Sequence, residues 1–488
     1  MKKYLPLLVF ICLSLGSRAQ QSVAYTPPAD SLVIRKLHWW QGLKFGLMMH
    51  WGTYSQWGVV ESWSICPEDE GWTQRHGHGA RNYFVYKSNY EHLISSFDPV
   101  QFNPDKWAAA AKYAGMKYLV FTTKHHDGFC MFDTRQTDYR ITSDSCPFHT
   151  DPRANITQVL FKAFRSQGFG IGAYFSKPDW HSPDYWWPYF PPLDRYPNFD
   201  EARYPRRWQR FRDFTYNQIR ELMSGTYGPI DILWLDGGWV RPHSPEEIAL
   251  NPRKNDDVDM PRIAAMARSL QPGLIIVDRD VPGPYENYRT PEQQVPSKPL
   301  PYPWETCMTM GTSWSYKPGD RYKPVYQLIH LLVRIVSRGG NFLLNIGPGP
   351  QGDWDPVAYE RLRGIGNWMR VNSSAIYQTT PVAPYASGRV YFTRKDDGSS
   401  IYGIYLADSG ETRMPTQVLI GGLSAAKGIR IRLLGYPGIL HWMITGSGIR
   451  IFIPRQARMH PPCHDAWVFI IPQHKTNLTH ENKEGTRL

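Results

Sequence analysis

Cysteine is the first thing this sequence has little of: six in 488 residues. Cys12 falls in an N-terminal leader, and Cys66, Cys130, Cys146, Cys307 and Cys463 are odd in number and widely spaced. That pattern argues against a scaffold built on disulfides and leaves at least one thiol free in a monomer. No glycine-rich dinucleotide fingerprint or phosphate loop occurs. The formal charge is +12, yet no compact Lys/Arg run interleaved with aromatics marks a nucleic-acid groove, so no nucleic-acid partner is expected. Coiled-coil heptads and solenoid repeats are missing as well.

Apolar runs long enough to span a bilayer are also lacking, so no membrane span is expected. The nearest approach is "MKKYLPLLVFICLSLGSRAQ", where two lysines precede a short apolar stretch and Ser17-Arg18-Ala19. Residues 1–20 read as a secretory signal cleaved near Ala19 or Gln20, and the residues around Cys12 do not form a lipid-attachment pattern. The expectation is an exported protein, periplasmic or extracellular.

What the chain has instead is aromatic rings, with 19 Trp and 29 Tyr, more than a core needs. Many stand beside Gly, Pro, His and Asp, which suggests a wet aromatic groove. The length favours one large domain plus a smaller one. Over the first two-thirds, apolar strand-like segments that end in polar residues alternate with helix-like segments. The strand candidates lie at 44–52, 116–129, 169–180, 230–239, 273–280, 304–310 and 340–348. Helical stretches fall at 104–115, 154–168, 204–224, 259–270, 321–337 and 356–373.

Buried strands alternating with helices predict a parallel sheet. Seven strands with polar residues at the same end predict a (β/α) barrel resembling a TIM barrel, with one unit weak or missing. An open doubly wound sheet is the alternative. Beyond about 375 the pattern changes to short strands between turns, as in "SSIYGIYLAD" and "AWVFIIP". This predicts an antiparallel β-sandwich. The expected division is a catalytic barrel over 21–365, a sandwich over 366–475 and a frayed tail over 476–488.

The strand ends collect His50, Trp51, the run His125-His126-Asp127, Tyr174, Lys177, Asp179, Asp236, Trp239, Asp278 and Arg279, with Trp314 further on. Imidazoles, carboxylates and arginine give directional hydrogen bonds to a sugar, and aromatic faces cover its C–H patches. Glycoside hydrolysis needs two acids. Asp236, at the end of "ILWLDGGW", is either a nucleophile or a carboxylate that caps a loop. Glu286 and Glu292, in "RDVPGPYENYRTPEQQVP", are equivalent candidates for the proton donor, and Glu61 is a third acid, suited to accepting from a ring hydroxyl or to a local salt bridge. His125, His126 and Asp127 could ligate zinc, but adjacent residues lack the same-face spacing of a zinc helix and a further ligand would have to come from another strand, so neither metal nor cofactor is expected.

The segments "FGLMMHWGTYS", "YLVFTTKHHDGFCMFDT", "GIGAYFS" and "DILWLDGGW" resemble the family 29 glycoside hydrolases, the retaining α-L-fucosidases, across residues 35–355. The resemblance implies that Asp236 is the nucleophile and that His50, His125, His126 and Tyr174 hold the fucose hydroxyls, with Arg279 reaching the sugar or the nucleophile. "YRTPEQ" is similar to the family's acid/base region, which makes Glu292 the first choice and Glu286 the reserve. Glu61-Ser62-Trp63 departs from the common Glu-Trp-Tyr by an inserted serine, so Glu61 and Trp63 are expected sugar contacts whose placement the sequence leaves open. Trp314 and Trp57 are candidates for an apolar wall facing the fucose methyl group. The implied partner is a fucosylated oligosaccharide or glycoconjugate. A retaining glycosidase for another terminal sugar and a secreted, non-catalytic sugar-binding protein are the alternatives.

Overall fold

The computed structural model describes residues 24–473 apart from 68–72, 74, 76, 78 and 427. The expected signal at 1–20 and the tail at 476–488 lie outside the described residues.

Seven parallel strands form one curled sheet: β1 (Phe45–Met49), β2 (Tyr118–Lys124), β3 (Gly170–Ser176), β4 (Ile232–Asp236), β5 (Ile275–Asp278), β6 (Glu305–Thr309) and β7 (Asn341–Asn345). Each falls inside a segment expected to be a strand. Their order is β5-β4-β3-β2-β1-β7-β6. The first strand pairs with the second on one side and the last on the other, Gly46 opposite Tyr118 and Leu47 opposite Leu344. That circular order belongs to a barrel; a doubly wound sheet would reverse its strand order at a switch point.

The missing unit lies between β5 and β6, and an irregular segment bridges it. Asp278 N–H donates to Tyr285 and Asn287 N–H to Ile276 on the β5 side. On the β6 side Glu305 N–H donates to Arg289 and Gln293 N–H to Cys307. The "YENYRTPEQ" excursion, read as a loop, therefore supplies the seam of the barrel.

Period-two alternation divides each strand into inward and outward side chains. Met48, Tyr118, Val120, Tyr174, Ile232, Trp234, Val277 and Leu343 pack together inside. Gly46 makes room at the bottom, because a Cβ there would lie 2.4 Å from the Tyr118 ring. A helix that the sequence pattern did not suggest, Ser31–Leu43, is capped by Asp30 and buries Leu37 and Trp40 into this interior. The Trp40 ring stacks on Tyr288 at 3.9 Å. Each such fully buried large apolar side chain contributes roughly 1.5–3 kcal/mol, so this helix closes the floor under the strands.

The helices Pro104–Tyr113, Ile156–Ser166, Pro205–Met223, Met260–Leu270, Val325–Val336 and Pro356–Asn372 cover the outside. Four of them, those opening at Pro104, Ile156, Met260 and Pro356, carry Asn or Asp caps at the preceding residue. The remaining strands form two antiparallel sheets. One has the order β12-β15-β10-β9-β8, from β8 (Thr379–Ser387), β9 (Val390–Lys395), β10 (Ser400–Leu406), β12 (Arg432–Leu433) and β15 (Ala466–Pro472). The other is β11 (Gln417–Gly421), β14 (Gly448–Phe452) and β13 (His441–Thr445), in that order. They face each other closely, since a Cβ on Gly403 would meet Ile420 Cδ1 at 3.1 Å. Trp368 Nε1 donates to Ala466 O at 2.9 Å, joining the last barrel helix to β15. The five cysteines among the described residues are buried, with no disulfide among them, and no helix there is long and apolar enough to cross a membrane.

Candidate active site

At the C-terminal ends of the strands a cavity of about 460 Å³ opens. The alternation that builds the barrel interior also decides what reaches this cavity. Inward positions 48, 174, 234 and 277 continue upward to His50, Asp236 and Arg279, which line it together with Tyr174. Outward positions carry Lys177 and Asp278, a register shift between Thr122 and Lys124 turns Lys124 the same way, and the strand-end charges on this side pair among themselves. Lys177 Nζ lies 2.5 Å from Asp278 and Lys124 Nζ 3.1 Å from Asp179, both pairs buried. Tyr90 O–H donates to Asp127 at 2.7 Å. None of these groups lines the cavity.

Asp236 is the most closely held carboxylate of the cavity. Oδ2 accepts from the Tyr174 hydroxyl at 2.6 Å, Oδ1 accepts from Gly237 N–H at 2.8 Å, and Arg279 Nη1 stands 3.2 Å from Oδ1. His126 Nε2 is 3.9 Å from Oδ2. Burial alone would push this carboxyl up, but Arg279, His126, Tyr174 and the Gly237 amide outweigh it and hold it well below the usual carboxylate range. Gly237 has φ +87° and a Cβ there would meet Pro178 Cδ at 2.3 Å, so glycine is required for the turn that aims its amide at Asp236.

Arg279 also binds Glu292 through Nη2, so one guanidinium bridges two carboxylates that line the cavity. Glu292 is 39% exposed, on the outer side of the pair. Glu286 does not line the cavity. It is buried beside Arg289, 3.3 Å from Nε, and borders a neighbouring depression.

Glu61 lies in a short turn, Glu61–Ile65, with φ +33° at the acid itself. Non-glycine residues in that left-handed region are strained and cluster at functional sites. Ser315 N–H donates to Glu61 Oε1 at 2.8 Å. Burial, only partly offset by that bond, pushes the carboxyl up to about 8, and the nearby Glu292 and Asp236 charges add to the shift. Trp63 enters the cavity edge-on to His126 at 5.3 Å and tilted against Trp239 at 5.8 Å. The Arg195 guanidinium lies 5.0 Å from the Trp63 ring and 5.2 Å from Trp239.

His50, His125 and His126 all face the cavity and are buried. Burial lowers His50 to about 4, His126 to about 3 and His125 well below its ordinary value, so all three imidazoles are neutral. Trp314 stands 5.2 Å from His50 and completes that wall. Trp57 packs instead against Tyr86 and Tyr90, away from the cavity, and does not form the wall expected of it. His125, His126 and Asp236 present ligand atoms within 4.8 Å of one another. Arg279 already pairs with Asp236, and its positive charge would oppose a metal cation on the same carboxylate.

The profile of the α-L-fucosidase family matches residues 12–374. The chain belongs to the α-L-fucosidase family. It is 29% identical to an α-L-fucosidase of Branchiostoma floridae, with 94% of this chain and 98% of that protein aligned. Among solved structures, α-L-fucosidase isoenzyme 1 of Paenibacillus thiaminolyticus superimposes with a TM-score of 0.72 at 28% identity, over 91% of this chain and all of that one. The Thermotoga maritima α-fucosidase, solved in complex with fucose, gives 0.69 at 27% identity, over 92% of this chain and all of that one.

All eight substrate-contact candidates and both first-choice acids therefore border one cavity, although they come from sequence positions 50 to 314. The sequence reading missed Met48, Trp234, Cys307, Arg195 and Asp280. The first three occupy inward positions of their strands; Met48 and Trp234 stand two residues before His50 and Asp236 and follow from the two-residue period, whereas β6 carried no predicted site residue to set the phase for Cys307. Arg195 comes from the long aromatic loop after β3, where no local pattern marks it.

Proposed function

We propose that the protein is an exported exo-α-L-fucosidase that releases terminal fucose from oligosaccharides or glycoconjugates with retention of configuration. The observation that carries this reading is Asp236: a rigid strand-end carboxylate, kept ionised by Arg279, in a cavity walled by neutral imidazoles and indoles. Family membership supplies the sugar. The N-terminal signal pattern supports export to the periplasm or the extracellular medium. The barrel of 21–365 carries the reaction and the sheets of 366–475 brace it, with the helix Pro356–Asn372 spanning the junction.

In the first step Asp236 attacks the anomeric carbon while Glu292 protonates the departing oxygen. In the second, Glu292 takes a proton from water, which hydrolyses the fucosyl ester. Glu292 is favoured over Glu286 because it borders the cavity. To donate its proton it must turn from Arg279 toward the leaving oxygen, and its exposure leaves room for that turn. The Tyr174 hydroxyl and Gly237 amide steady the Asp236 carboxylate before attack. His50, His125, His126, Glu61 and Trp63 hold the sugar, and Trp314 covers its methyl group.

Glu61 supports a second assignment of the proton donor, because its carboxyl is protonated at neutral pH. Azide rescue separates the two. A covalent intermediate formed on Asp236 is β-linked, so azide replacing water in an acid/base variant yields α-fucosyl azide. Glu292→Ala should give that product and Glu61→Ala should not. Asp236→Gly should lose turnover of an aryl α-L-fucoside and regain it with azide as the β-azide. Near-normal turnover by Asp236→Ala, or faster cleavage of an α-galactoside than of the fucoside, would overturn the assignment.

A further inference from the structure

We propose that Ser62 and Asn345 are positioning residues that hold two cavity histidines in opposite tautomers, so that His125 offers the sugar an N–H donor and His50 offers it a lone pair. The consequence for substrate rests on the fucosidase reading above; the proton positions do not.

The hydroxyl of Ser62, the serine inserted between Glu61 and Trp63, is the start of the first chain of bonds. Its Oγ accepts from Asp127 N–H at 2.9 Å and lies 2.5 Å from His125 Nδ1. Ser62 is fully buried, and among the described residues His125 Nδ1 is the acceptor within reach of its proton. If Nδ1 carried a hydrogen, the serine O–H would be left buried and unpaired, which costs roughly 1–3 kcal/mol. Ser62 therefore donates, Nδ1 accepts, and the single proton of this neutral ring sits on Nε2.

At His50 the logic reverses. Asn345 Nδ2 donates to the Trp314 carbonyl at 2.6 Å, which fixes which end of the amide is oxygen. Asn345 Oδ1 then faces His50 Nδ1 at 2.8 Å and requires a hydrogen there. The proton of this ring is on Nδ1, and Nε2 is left with a free lone pair. The two rings are 5.6 Å apart and line the same cavity, so a sugar meets one donor and one acceptor side by side. A hydroxyl both donates and accepts, and this pairing selects one direction for the hydroxyl protons. Either histidine in the other tautomer would set lone pair against lone pair or hydrogen against hydrogen.

Neutron diffraction from deuterated crystals of the wild-type protein reads the tautomers directly. The expected result is deuterium on Nε2 of His125 and on Nδ1 of His50; deuterium on Nδ1 of His125 or on Nε2 of His50 overturns the proposal. Kinetics test the consequence. Ser62→Ala should lower kcat/KM on an aryl α-L-fucoside by roughly 10- to 100-fold, the loss expected when a buried partner is removed. That loss should nearly vanish on the monodeoxy analogue lacking the hydroxyl that meets His125, and Ser62→Thr should restore turnover. An equal loss on the parent and on every monodeoxy analogue would mean that Ser62 only supports the turn, and would overturn the positioning role. If the wild-type protein cleaves no fucoside, the function is wrong and the neutron result still decides the tautomers.

Discussion

Removing the guanidinium of Arg279 should move the acid limb of the pH profile. Arg279 Nη1 lies 3.2 Å from Asp236 Oδ1, the arginine side chain is 14% exposed and the aspartate 15%. A nucleophile works only as the carboxylate, so activity is present above the Asp236 pKa and is lost as pH falls through it. In the native site that loss lies well below the usual carboxylate range, because Arg279 leads the group that outweighs burial. In Arg279→Met, burial is opposed only by His126, the Tyr174 hydroxyl and the Gly237 amide. An opposite charge at such a distance lowers a carboxyl by about 1–3 pH units, so the acid limb of kcat/KM should rise by about that amount. Each unit is worth about 1.4 kcal/mol, or a tenfold loss at a pH below both limbs. Arg279→Lys keeps the charge and should leave the limb near its native position while lowering the rate through lost two-pronged geometry. The assay is kcat/KM for an aryl α-L-fucoside across the acid range, with thermal unfolding followed on the same samples. A uniform fall in rate with an unmoved limb would refute the electrostatic role and leave Arg279 as a sugar contact alone.

Glu305 inside the barrel accepts from Tyr118 O–H at 2.5 Å, Tyr288 O–H at 3.2 Å and Trp234 Nε1–H at 3.3 Å. Glu305→Leu strands three buried donors and should destabilise the fold by about 3 kcal/mol or more in urea unfolding; a change within experimental scatter would contradict this. Burial raises the same carboxyl from 4.5 to about 7. Its contribution to stability should therefore be complete below the unfolded value and decline as pH rises through about 7, a slope that Glu305→Gln removes. Trp63→Ala deletes the ring packed on His126 and Trp239, and should raise KM by roughly tenfold with a smaller effect on kcat, the mark of lost binding. Exhaustive chelation with verified metal removal should leave kcat/KM unchanged; loss of activity restored by one divalent metal would show that His125, His126 and Asp236 hold an ion.

Local sequence determined much of the frame. The apolar runs and their polar exits are written within ten residues of each strand, and period two sorts inward from outward positions without knowledge of the partner strand. Asp236, at the exit of "ILWLDGGW", was legible for that reason, and so were His50 and Tyr174. The same rule, applied strictly, separates Arg279 from its neighbour Asp278, whose outward side chain pairs with Lys177. What it could not reach were the helix Ser31–Leu43 under the barrel and the seam of 285–293, because both exist through contacts with strands far along the chain.

The tertiary structure alone decided the partners of the reactive groups. Glu286 and Glu292 stand six residues apart in a segment without a regular period, and only the path of that segment between β5 and β6 puts one at the cavity and the other beside Arg289. Arg195, from a loop, meets two indoles carried by other loops. Ser62 reads in sequence as an interruption between an acid and an indole; in the fold it is the hydroxyl that settles a histidine's proton. Periodicity is a local property of the chain, so the sequence determined which groups face the cavity from the strands. Hydrogen bonds and charge pairs join residues hundreds of positions apart, so the charge and proton state of those groups belong to the folded molecule.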